Sequence, residues 1–327
     1  MKAVYINSFS SLDDLEIREV PQPSPAAGQV LVRVRAAGLN RADLLQAKGL
    51  YPPPAGYSAN IPGLEFAGEV AELGDGVDSW DVGDRVFGIT AGESQAEYLI
   101  TEQRHLARIP DALSFVEAAA VPEAFITAQD AIISQGKLVS GETLLVHAVG
   151  SGVGLAALRI GKMIGARVIG TSRTSNKLDR CMAFGLDRGI ATGDEPEFSK
   201  AVLDETDDRG TDVVLDLVGA AYFQENLASL AVRGRLILVG LTSGRTAEFN
   251  LGLALQKRLT IIGTVLRGRS SEEKAAATRS FADQIVPAFA DGRLRPDLDR
   301  VFAAHDVLDA YRYLASNQSF GKVVLEF

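Results

Sequence analysis

A glycine-rich segment near the middle of the chain has the residue types that bind a phosphate group. Residues 147–154 read His-Ala-Val-Gly-Ser-Gly-Val-Gly and follow the strand-like run Thr-Leu-Leu-Val. A helix that starts after such a turn directs unpaired N–H groups and its positive dipole end at an anion. The glycine spacing departs from a strict G-x-G-x-x-G, and Ser151 stands where glycine is usual, so a purely structural turn is an alternative. Because the turn lies inside a repeated strand–helix–strand pattern, we predict a dinucleotide-binding turn from Ala148 to Gly154.

The residues after the next strand-like run favour a cofactor with a 2′-phosphate. A site for NAD usually has an Asp or Glu there, about 20 residues after the turn, to bind the ribose hydroxyls. This chain has no acid at that point but has Ser172, Arg173 and Lys177. Hydroxyl and cationic groups suit a phosphate, so we predict NADPH. The alternative is that Arg173 and Lys177 are solvated residues at the start of a helix.

Residues that bind transition metals are scarce and dispersed. Cys181 is the only cysteine, which excludes an intrachain disulfide and a thiolate zinc cluster. The three histidines, His105, His147 and His305, lack the spacing of a ligand set. We therefore predict no metal site.

The pattern of apolar and polar residues changes along the chain and predicts the elements that position these residues. Residues 1–120 contain short alternating runs punctuated by Gly and Pro, which are typical of a small β-barrel domain. At residues 115–135 the pattern turns helical, and Pro122 predicts a break into two helices. From there to residue 268, apolar strands alternate with helices, which predicts a doubly wound parallel sheet. The segment 269–327 opens with a long helix near Glu272 and ends in a strand, which we expect to rejoin the first domain.

The overall composition excludes several classes of function. The chain has 327 residues, a formal net charge of −9 and a pI near 5.0. An acidic surface repels phosphate backbones, so we expect no nucleic acid partner. No apolar stretch reaches the roughly 18 residues that would predict a membrane span, and the N-terminus lacks the pattern of a signal peptide. We therefore expect a cytoplasmic protein of two domains.

Six segments spread along the chain carry motifs, at residues 37–46, 49–54, 62–68, 118–128, 147–154 and 321–326. Together they resemble the medium-chain dehydrogenase/reductase superfamily, and within it the zinc-free quinone oxidoreductases of the zeta-crystallin type. The resemblance implies an α/β protein with a GroES-like β-barrel catalytic domain, residues 1–120 and 269–327. That domain is split around a doubly wound Rossmann domain for NADPH, residues 121–268.

The resemblance also implies that the enzyme needs no metal. The zinc alcohol dehydrogenases of the superfamily carry a Cys ligand at the position of Asn40 and a His-Glu pair at the positions of Leu64 and Glu65. Glu65 and Asp43 remain as carboxylates, but two oxygen ligands without nitrogen or sulfur do not make a zinc site. We interpret them as structural acids near the cleft.

The same resemblance implies which residues surround the cofactor and the substrate. Tyr51 is expected to donate a hydrogen bond to a substrate carbonyl, although a loop aromatic packed on residues 52–54 is the alternative. Asn40 and Thr127 are expected near the nicotinamide. Thr192 stands where close relatives have a larger phosphate-contacting residue, which puts the strength of 2′-phosphate binding in doubt. The full set of expected cofactor contacts is Asn40, Thr127, Ser151, Gly152, Val153, Ser172, Lys177, Thr192, Val218, Gly240, Leu241, Leu266, Arg267, Asn317 and Lys322.

These residues predict hydride transfer from NADPH to an acceptor that is already activated by conjugation. We expect a quinone, with a preference for ortho-quinones that rests on the resemblance. The alternative reaction is reduction of an enone or an enoyl-thioester. A non-enzymatic alternative is an NADPH-binding crystallin-like or RNA-binding protein, and the low pI speaks against RNA.

The apolar run at residues 259–265 predicts how the chain assembles. It is β-branched and would be an aggregation hazard if it lay unpaired at a sheet edge. Pairing with its own copy about a two-fold axis would satisfy its backbone groups, so we predict a homodimer. One alternative is a tetramer. The other is a monomer in which the helix near Glu272 covers this sheet edge.

Overall fold

The computed structural model describes residues 1–194 and 196–327, which form two compact units. Unit 1 consists of Met1–Ile126 with Leu266–Phe327, and unit 2 of Thr127–Val265. In chain order the strands are β1 (Lys2–Ile6), β2 (Leu15–Glu19), β3 (Gln29–Leu39), β4 (Glu65–Leu73), β5 (Arg85–Ile89), β6 (Tyr98–Glu102), β7 (Leu106–Arg108), β8 (Thr143–Val146), β9 (Arg167–Ser172), β10 (Arg188–Ala191), β11 (Thr211–Asp216), β12 (Leu230–Leu238), β13 (Thr260–Gly263), β14 (Leu298–Ala303) and β15 (Lys322–Glu326). The helices are α1 (Arg41–Ala47), α2 (Phe115–Ala118), α3 (Pro122–Gln129), α4 (Gly152–Met163), α5 (Ser175–Met182), α6 (Ser199–Glu205), α7 (Phe223–Ser229), α8 (Leu251–Lys257), α9 (Ser271–Gln284), α10 (Val286–Ala290) and α11 (Val307–Ala315).

Unit 1 is built on a sheet with the strand order β14-β15-β3-β4-β5-β7, and β6 also pairs with β3. The long strand β3 is therefore shared by several partners. Strand β15 pairs with it in antiparallel orientation, with Val324 opposite Gly38. The prediction that the last strand rejoins the first domain is confirmed. Its apolar residues Val323, Val324 and Leu325 are fully buried, which explains why the pairing forms.

Unit 2 is a six-stranded sheet with the order β10-β9-β8-β11-β12-β13, and each neighbouring pair is parallel. Its central strand β8 is buried on both faces, since Leu144, Leu145 and Val146 have no exposed surface. The chain leaves β8 in one direction through β9 and β10 and then crosses to β11 on the other side. This reversal next to β8 is the switch point at which doubly wound sheets bind ligands. The α/β fold class is confirmed.

Most predicted elements occur where the sequence places them. The helical region after Ser114 is divided before Pro122, as predicted, and Ser114 and Glu117 form a capping box at its start. The helix near Glu272 is α9, which begins at Ser271. Strand β10 was not predicted, because Ile190 is its only buried residue and its sequence shows no alternation.

Strand β13 forms one edge of the sheet in unit 2 and pairs only with β12 among the described residues. A strand occurs at the predicted position, and its regular pairing ends at Gly263, before the end of the apolar run at residues 259–265. Thr264 adds one further backbone hydrogen bond to Leu238, and Val265 is half exposed. Across the described chain, no helix combines the length and apolar character needed to span a membrane.

Candidate active-site residues of the two units

The glycine-rich turn of unit 2 connects β8 to the start of α4. Helix α4 begins at Gly152, and the Ser151 side chain caps it by accepting a hydrogen bond from the Gly154 N–H at 3.1 Å. Ala148 has a positive φ of 47°, so the backbone turns sharply after the strand. A Cβ atom on Gly154 would lie 2.5 Å from the Ala148 carbonyl oxygen, so only glycine fits there. A helix start of this kind is able to bind an anion through its first N–H groups.

Other predicted cofactor residues of unit 2 follow neighbouring strands. Ser172 ends β9, Val218 follows β11, and Gly240 and Leu241 follow β12. Because these strands are parallel, their carboxyl ends meet at one edge of the sheet, the edge that also carries the glycine-rich turn. Lys177 lies in the first turn of α5, which starts beyond Ser172. The sheet therefore gathers these residues on one side of unit 2.

Two predicted residues of unit 2 differ in how their hydroxyl groups are used. The Thr192 hydroxyl lies 2.8 Å from the Tyr222 hydroxyl and 3.4 Å from the Ser172 carbonyl oxygen, so protein groups already engage it. The Thr127 hydroxyl oxygen is buried and has no hydrogen-bond partner in the described chain. A buried hydroxyl without a partner is costly, so the Thr127 hydroxyl fits a ligand contact better than the Thr192 hydroxyl does.

In unit 1, Asn40 is held between a lysine and a glutamate. Its Oδ1 accepts a hydrogen bond from Lys322 Nζ at 2.7 Å, and its Nδ2 donates to Glu65 Oε1 at 2.9 Å. Lys322 also forms an ion pair with Glu65, and both side chains are buried. The third donor of the ammonium group reaches the Leu39 carbonyl oxygen at 2.7 Å. All three Lys322 donors therefore have protein acceptors, and Lys322 acts on this region by fixing the Asn40 amide.

This arrangement does not fit a zinc ion. The ammonium group of Lys322 lies against Glu65, the residue that would have to contribute to a metal site beside Asn40 and Leu64. A cation placed there would meet a positive charge and an apolar side chain instead of nitrogen and sulfur ligands. The described residues contain no group of three or more His, Cys, Asp or Glu side chains that could hold a metal.

Two further carboxyl groups lie close to this lysine–glutamate pair. Asp43 accepts hydrogen bonds from the backbone N–H of Asn40 at 2.7 Å and of Gly63 at 3.1 Å, and burial raises its pKa to about 6. Burial and the nearby Glu65 carboxylate raise the pKa of Glu123 to about 8. The backbone N–H of Glu123 donates to Glu65 Oε2 at 2.8 Å, which fixes the start of α3 beside the pair. Unit 1 therefore keeps a carboxyl group that is largely protonated at neutral pH.

Tyr51 lies beside a buried arginine of the same unit. The Arg267 guanidinium lies 4.9 Å from the centre of the Tyr51 ring and donates a hydrogen bond to the Tyr51 carbonyl oxygen at 2.9 Å. Other donors of Arg267 reach the Ala91 carbonyl oxygen at 2.8 Å and Gln46 Oε1 at 2.5 Å. Burial raises the pKa of the Tyr51 phenol, so the hydroxyl stays protonated and can donate a hydrogen bond. Arg267 thus anchors the loop that carries Tyr51.

Asn317 and Leu266 are the remaining predicted residues of unit 1. Asn317 has a positive φ of 60° and accepts a hydrogen bond from Arg41, the residue next to Asn40. Leu266 is buried at the start of the returning segment. Their contact with a cofactor stays a prediction.

Sequence reasoning missed Glu123 and Gln46 as members of these clusters. Glu123 follows an apolar run at residues 118–122, and an acid in such a position was a usable signal. Gln46 gave no signal, because its partners Arg267 and Ala59 are distant in sequence.

Two family models match the chain along successive segments. The model described as "Alcohol dehydrogenase GroES-like domain" matches residues 26–131, and the one described as "Zinc-binding dehydrogenase" matches residues 152–282. The chain is also similar to the quinone oxidoreductase of Pseudomonas aeruginosa, with 32% identity over 326 residues and 99% of each chain covered. The chain belongs to the quinone oxidoreductase family of the medium-chain dehydrogenase/reductase superfamily. It is therefore an oxidoreductase whose fold implies a nicotinamide cofactor.

Other relatives of this oxidoreductase are parts of larger synthases. Its sequence is 35% identical over 320 residues to a phenolphthiocerol/phthiocerol polyketide synthase of Mycobacterium tuberculosis. That match covers 98% of the chain but only 14% of the synthase. The crystal structure of CurK enoyl reductase superposes with a TM-score of 0.88 at 25% identity, covering 99% of this chain and 98% of that one. The family therefore includes proteins named for two different acceptors.

Proposed function

We propose that the protein transfers a hydride from NADPH to a quinone, without a metal ion. The observation that carries the proposal is the buried Lys322–Glu65 pair, which fixes Asn40 where zinc-dependent members of the superfamily have a ligand. Without a Lewis acid, the acceptor must be activated by its own conjugation, as a quinone is.

The residues of unit 2 bind the cofactor in this proposal. The first N–H groups of α4 and the Ser151 side chain bind the pyrophosphate, and Ser172 and Lys177 bind the 2′-phosphate. Thr127 contributes its unpartnered hydroxyl next to the nicotinamide. Bound NADPH supplies the hydride, and these residues only hold and orient it.

The residues of unit 1 act on the substrate. Tyr51 donates a hydrogen bond to the acceptor oxygen as negative charge develops there, and Asn40 orients the reacting face. Glu123 holds a proton at neutral pH and supplies it to the reduced product. Under this proposal, residues 1–120 and 269–327 form the catalytic domain and residues 121–268 the cofactor domain of a cytoplasmic enzyme.

A panel of acceptors tests the reaction. NADPH oxidation is measured with an ortho-quinone, a para-quinone, an aliphatic enone and an enoyl-thioester. We expect the highest kcat/KM with the ortho-quinone. The likeness to an enoyl reductase favours the enoyl-thioester as the second candidate, and a higher kcat/KM with that substrate would replace the first proposal. Absence of turnover with all four would leave only a binding role of the crystallin or RNA-binding kind.

A metal analysis tests the second part of the proposal. We expect elemental analysis to find no stoichiometric zinc and a chelator to leave activity intact, because Lys322 opposes a cation near Glu65. Activity that disappeared with chelator and returned with zinc would overturn this interpretation of Asn40.

We also propose that the enzyme is a homodimer joined along β13. The exposed leucines of α8, Leu251 and Leu255, and the edge strand itself form an apolar face that a second copy would cover. Leu255→Lys should weaken the dimer by placing a charge in the apolar face that the second copy covers, whereas Val139→Lys, at an exposed apolar residue elsewhere in unit 2, should not. Light scattering at micromolar concentration measures the mass. A parent mass near 34.8 kDa would show a monomer and refute the proposal.

A further inference from the structure

Beneath the glycine-rich turn, four buried polar side chains of unit 2 form a continuous hydrogen-bonded chain. Thr171 Oγ1 lies 2.8 Å from His147 Nδ1, and His147 Nε2 lies 2.5 Å from Asn226 Oδ1. Asn226 Nδ2 donates to Asp216 Oδ2 at 3.0 Å. None of the four residues has exposed surface. We call these residues the His147 network.

The last member of the His147 network holds a loop. Asp216 Oδ1 accepts hydrogen bonds from the backbone N–H of Val218 at 2.7 Å and of Gly219 at 2.9 Å. Since both Asp216 oxygens accept hydrogen bonds, the Asn226 amide presents its N–H to Asp216 and its oxygen to His147. His147 must then carry its proton on Nε2 and accept at Nδ1 from the Thr171 hydroxyl. A single histidine tautomer thus satisfies the whole network.

The surroundings of His147 favour the uncharged ring. The rings of Phe198 and Tyr222 each lie 4.8 Å from the imidazole, centre to centre. Burial lowers the pKa of His147, against the opposing effect of Asp216. The imidazole is therefore a neutral connector with one donor and one acceptor.

The His147 network joins the carboxyl ends of three adjacent strands. Thr171 lies on β9 next to Ser172, His147 directly precedes the glycine-rich turn after β8, and Asp216 ends β11 before Val218. The proposed function assigns the pyrophosphate to the segment after β8 and the 2′-phosphate to the segment after β9, and Val218 after β11 is among the predicted cofactor contacts. The backbone repeats this connection, because the Val149 N–H donates to the Thr171 carbonyl oxygen at 3.0 Å.

We propose that His147, as the neutral Nε2–H tautomer, is a positioning residue that sets the spacing between the glycine-rich turn and the Val218–Gly219 loop and thereby the affinity for the dinucleotide. The inference rests on the proposed cofactor binding by unit 2. His147 does not touch the cofactor in this proposal and acts through the two backbone segments on either side of it.

Two variants at Thr171 test the His147 network. Thr171→Val keeps the shape but leaves His147 Nδ1 without a donor, whereas Thr171→Ser keeps the hydroxyl group. Val168→Ala, at the other end of β9 and equally buried, controls for a general loss of stability. We expect the Kd for NADPH, measured by calorimetry, to rise about tenfold in Thr171→Val. It should change by less than about twofold in Thr171→Ser and Val168→Ala. A Thr171→Val protein that binds like Val168→Ala would overturn the inference.

Nitrogen NMR of the histidine rings in the full chain provides a readout that does not depend on affinity. We expect the His147 imidazole to be protonated on Nε2 and uncharged at neutral pH. Its Nδ1 signal should shift in Thr171→Val but not in Thr171→Ser. A buried imidazolium or the other tautomer would overturn the inference even if NADPH binds as proposed. If the parent protein binds neither NADPH nor NADH, the proposed function fails and the positioning role fails with it.

Discussion

Unit 2 buries the His147 network, in which the polar groups of Thr171, His147, Asn226 and Asp216 meet partners of matching type. Unit 1 places the buried Asp43 and Glu65 and the partly buried Glu123 near the Lys322 ammonium, and desolvation raises the pKa values of Asp43 and Glu123. In the first case the partners fix positions without exchanging protons. In the second, three carboxyl groups lie near a single ammonium group, and Glu123 keeps its proton at neutral pH. In our proposals, unit 2 positions the cofactor and unit 1 stores the proton.

The largest effect is expected when the buried ion pair of unit 1 is broken. Lys322→Met leaves the Glu65 charge buried without its counter-ion, which should lower the free energy of unfolding by about 3–5 kcal/mol. Lys162→Met removes the partly exposed pair with Asp187 in unit 2 and should cost about 1 kcal/mol or less. Urea unfolding of both variants measures the difference. Equal losses would mean that the two pairs are equivalent and that Lys322 has no special role.

Replacing Lys177 of unit 2 should change the affinity for the cofactor but not the turnover number. A charge-assisted contact with the 2′-phosphate contributes about 1.5–3 kcal/mol, so Lys177→Ala should weaken NADPH binding about tenfold or more and leave NADH binding unchanged. Lys200→Ala, at an exposed lysine of α6, is the matched control. Equal dissociation constants of the parent protein for NADPH and NADH would contradict the assignment.

The most gradual effect, spread over several pH units, is a pH dependence that arises from Glu123. Its pKa rises from 4.5 to about 8 on folding, so the folded protein binds this proton more tightly than the unfolded chain does. The stabilising contribution is therefore complete at low pH and is lost as the pH rises through this interval, by at most about 1.4 kcal/mol per pH unit. Glu123→Gln should flatten this part of the stability profile measured by denaturant unfolding. A variant with the same slope as the parent would place the proton elsewhere.

The sequence predicted those features that depend on neighbouring residues. The turn at residues 148–154, the strands around it and the break before Pro122 each follow from local spacing, and the structure contains them. The return of β15 to unit 1 was predicted from its strand-like residue pattern and from the family resemblance. The roles assigned to Asn40, Tyr51 and the cofactor residues stay predictions.

Features that depend on distant residues could not be predicted. His147 gave no sign of its partners, because Thr171 and Asn226 lie on other elements. Glu123 owes its raised pKa to burial and to Glu65; the apolar run before Glu123 hints at burial, but Glu65 is 58 residues away in sequence. Strand β10 has too little apolar character to be recognised and exists because β9 offers it an edge.

The pairing of Lys322 with Asn40 and Glu65 has a consequence for biosynthesis. Lys322 and Asn40 are 282 residues apart in sequence. Asn40 and Glu65 therefore leave the ribosome long before Lys322, which neutralises Glu65 and orients the Asn40 amide. Until β15 emerges, residues Ala36–Leu39 of β3 lack the strand that pairs with them and Glu65 has no counter-ion, whereas unit 2 is already complete in a single stretch. The nascent chain should therefore finish the cofactor-binding unit first. Unit 1 then has an incomplete sheet until β15 is synthesised. Chaperones or rapid completion of the chain would protect it from aggregation during that time.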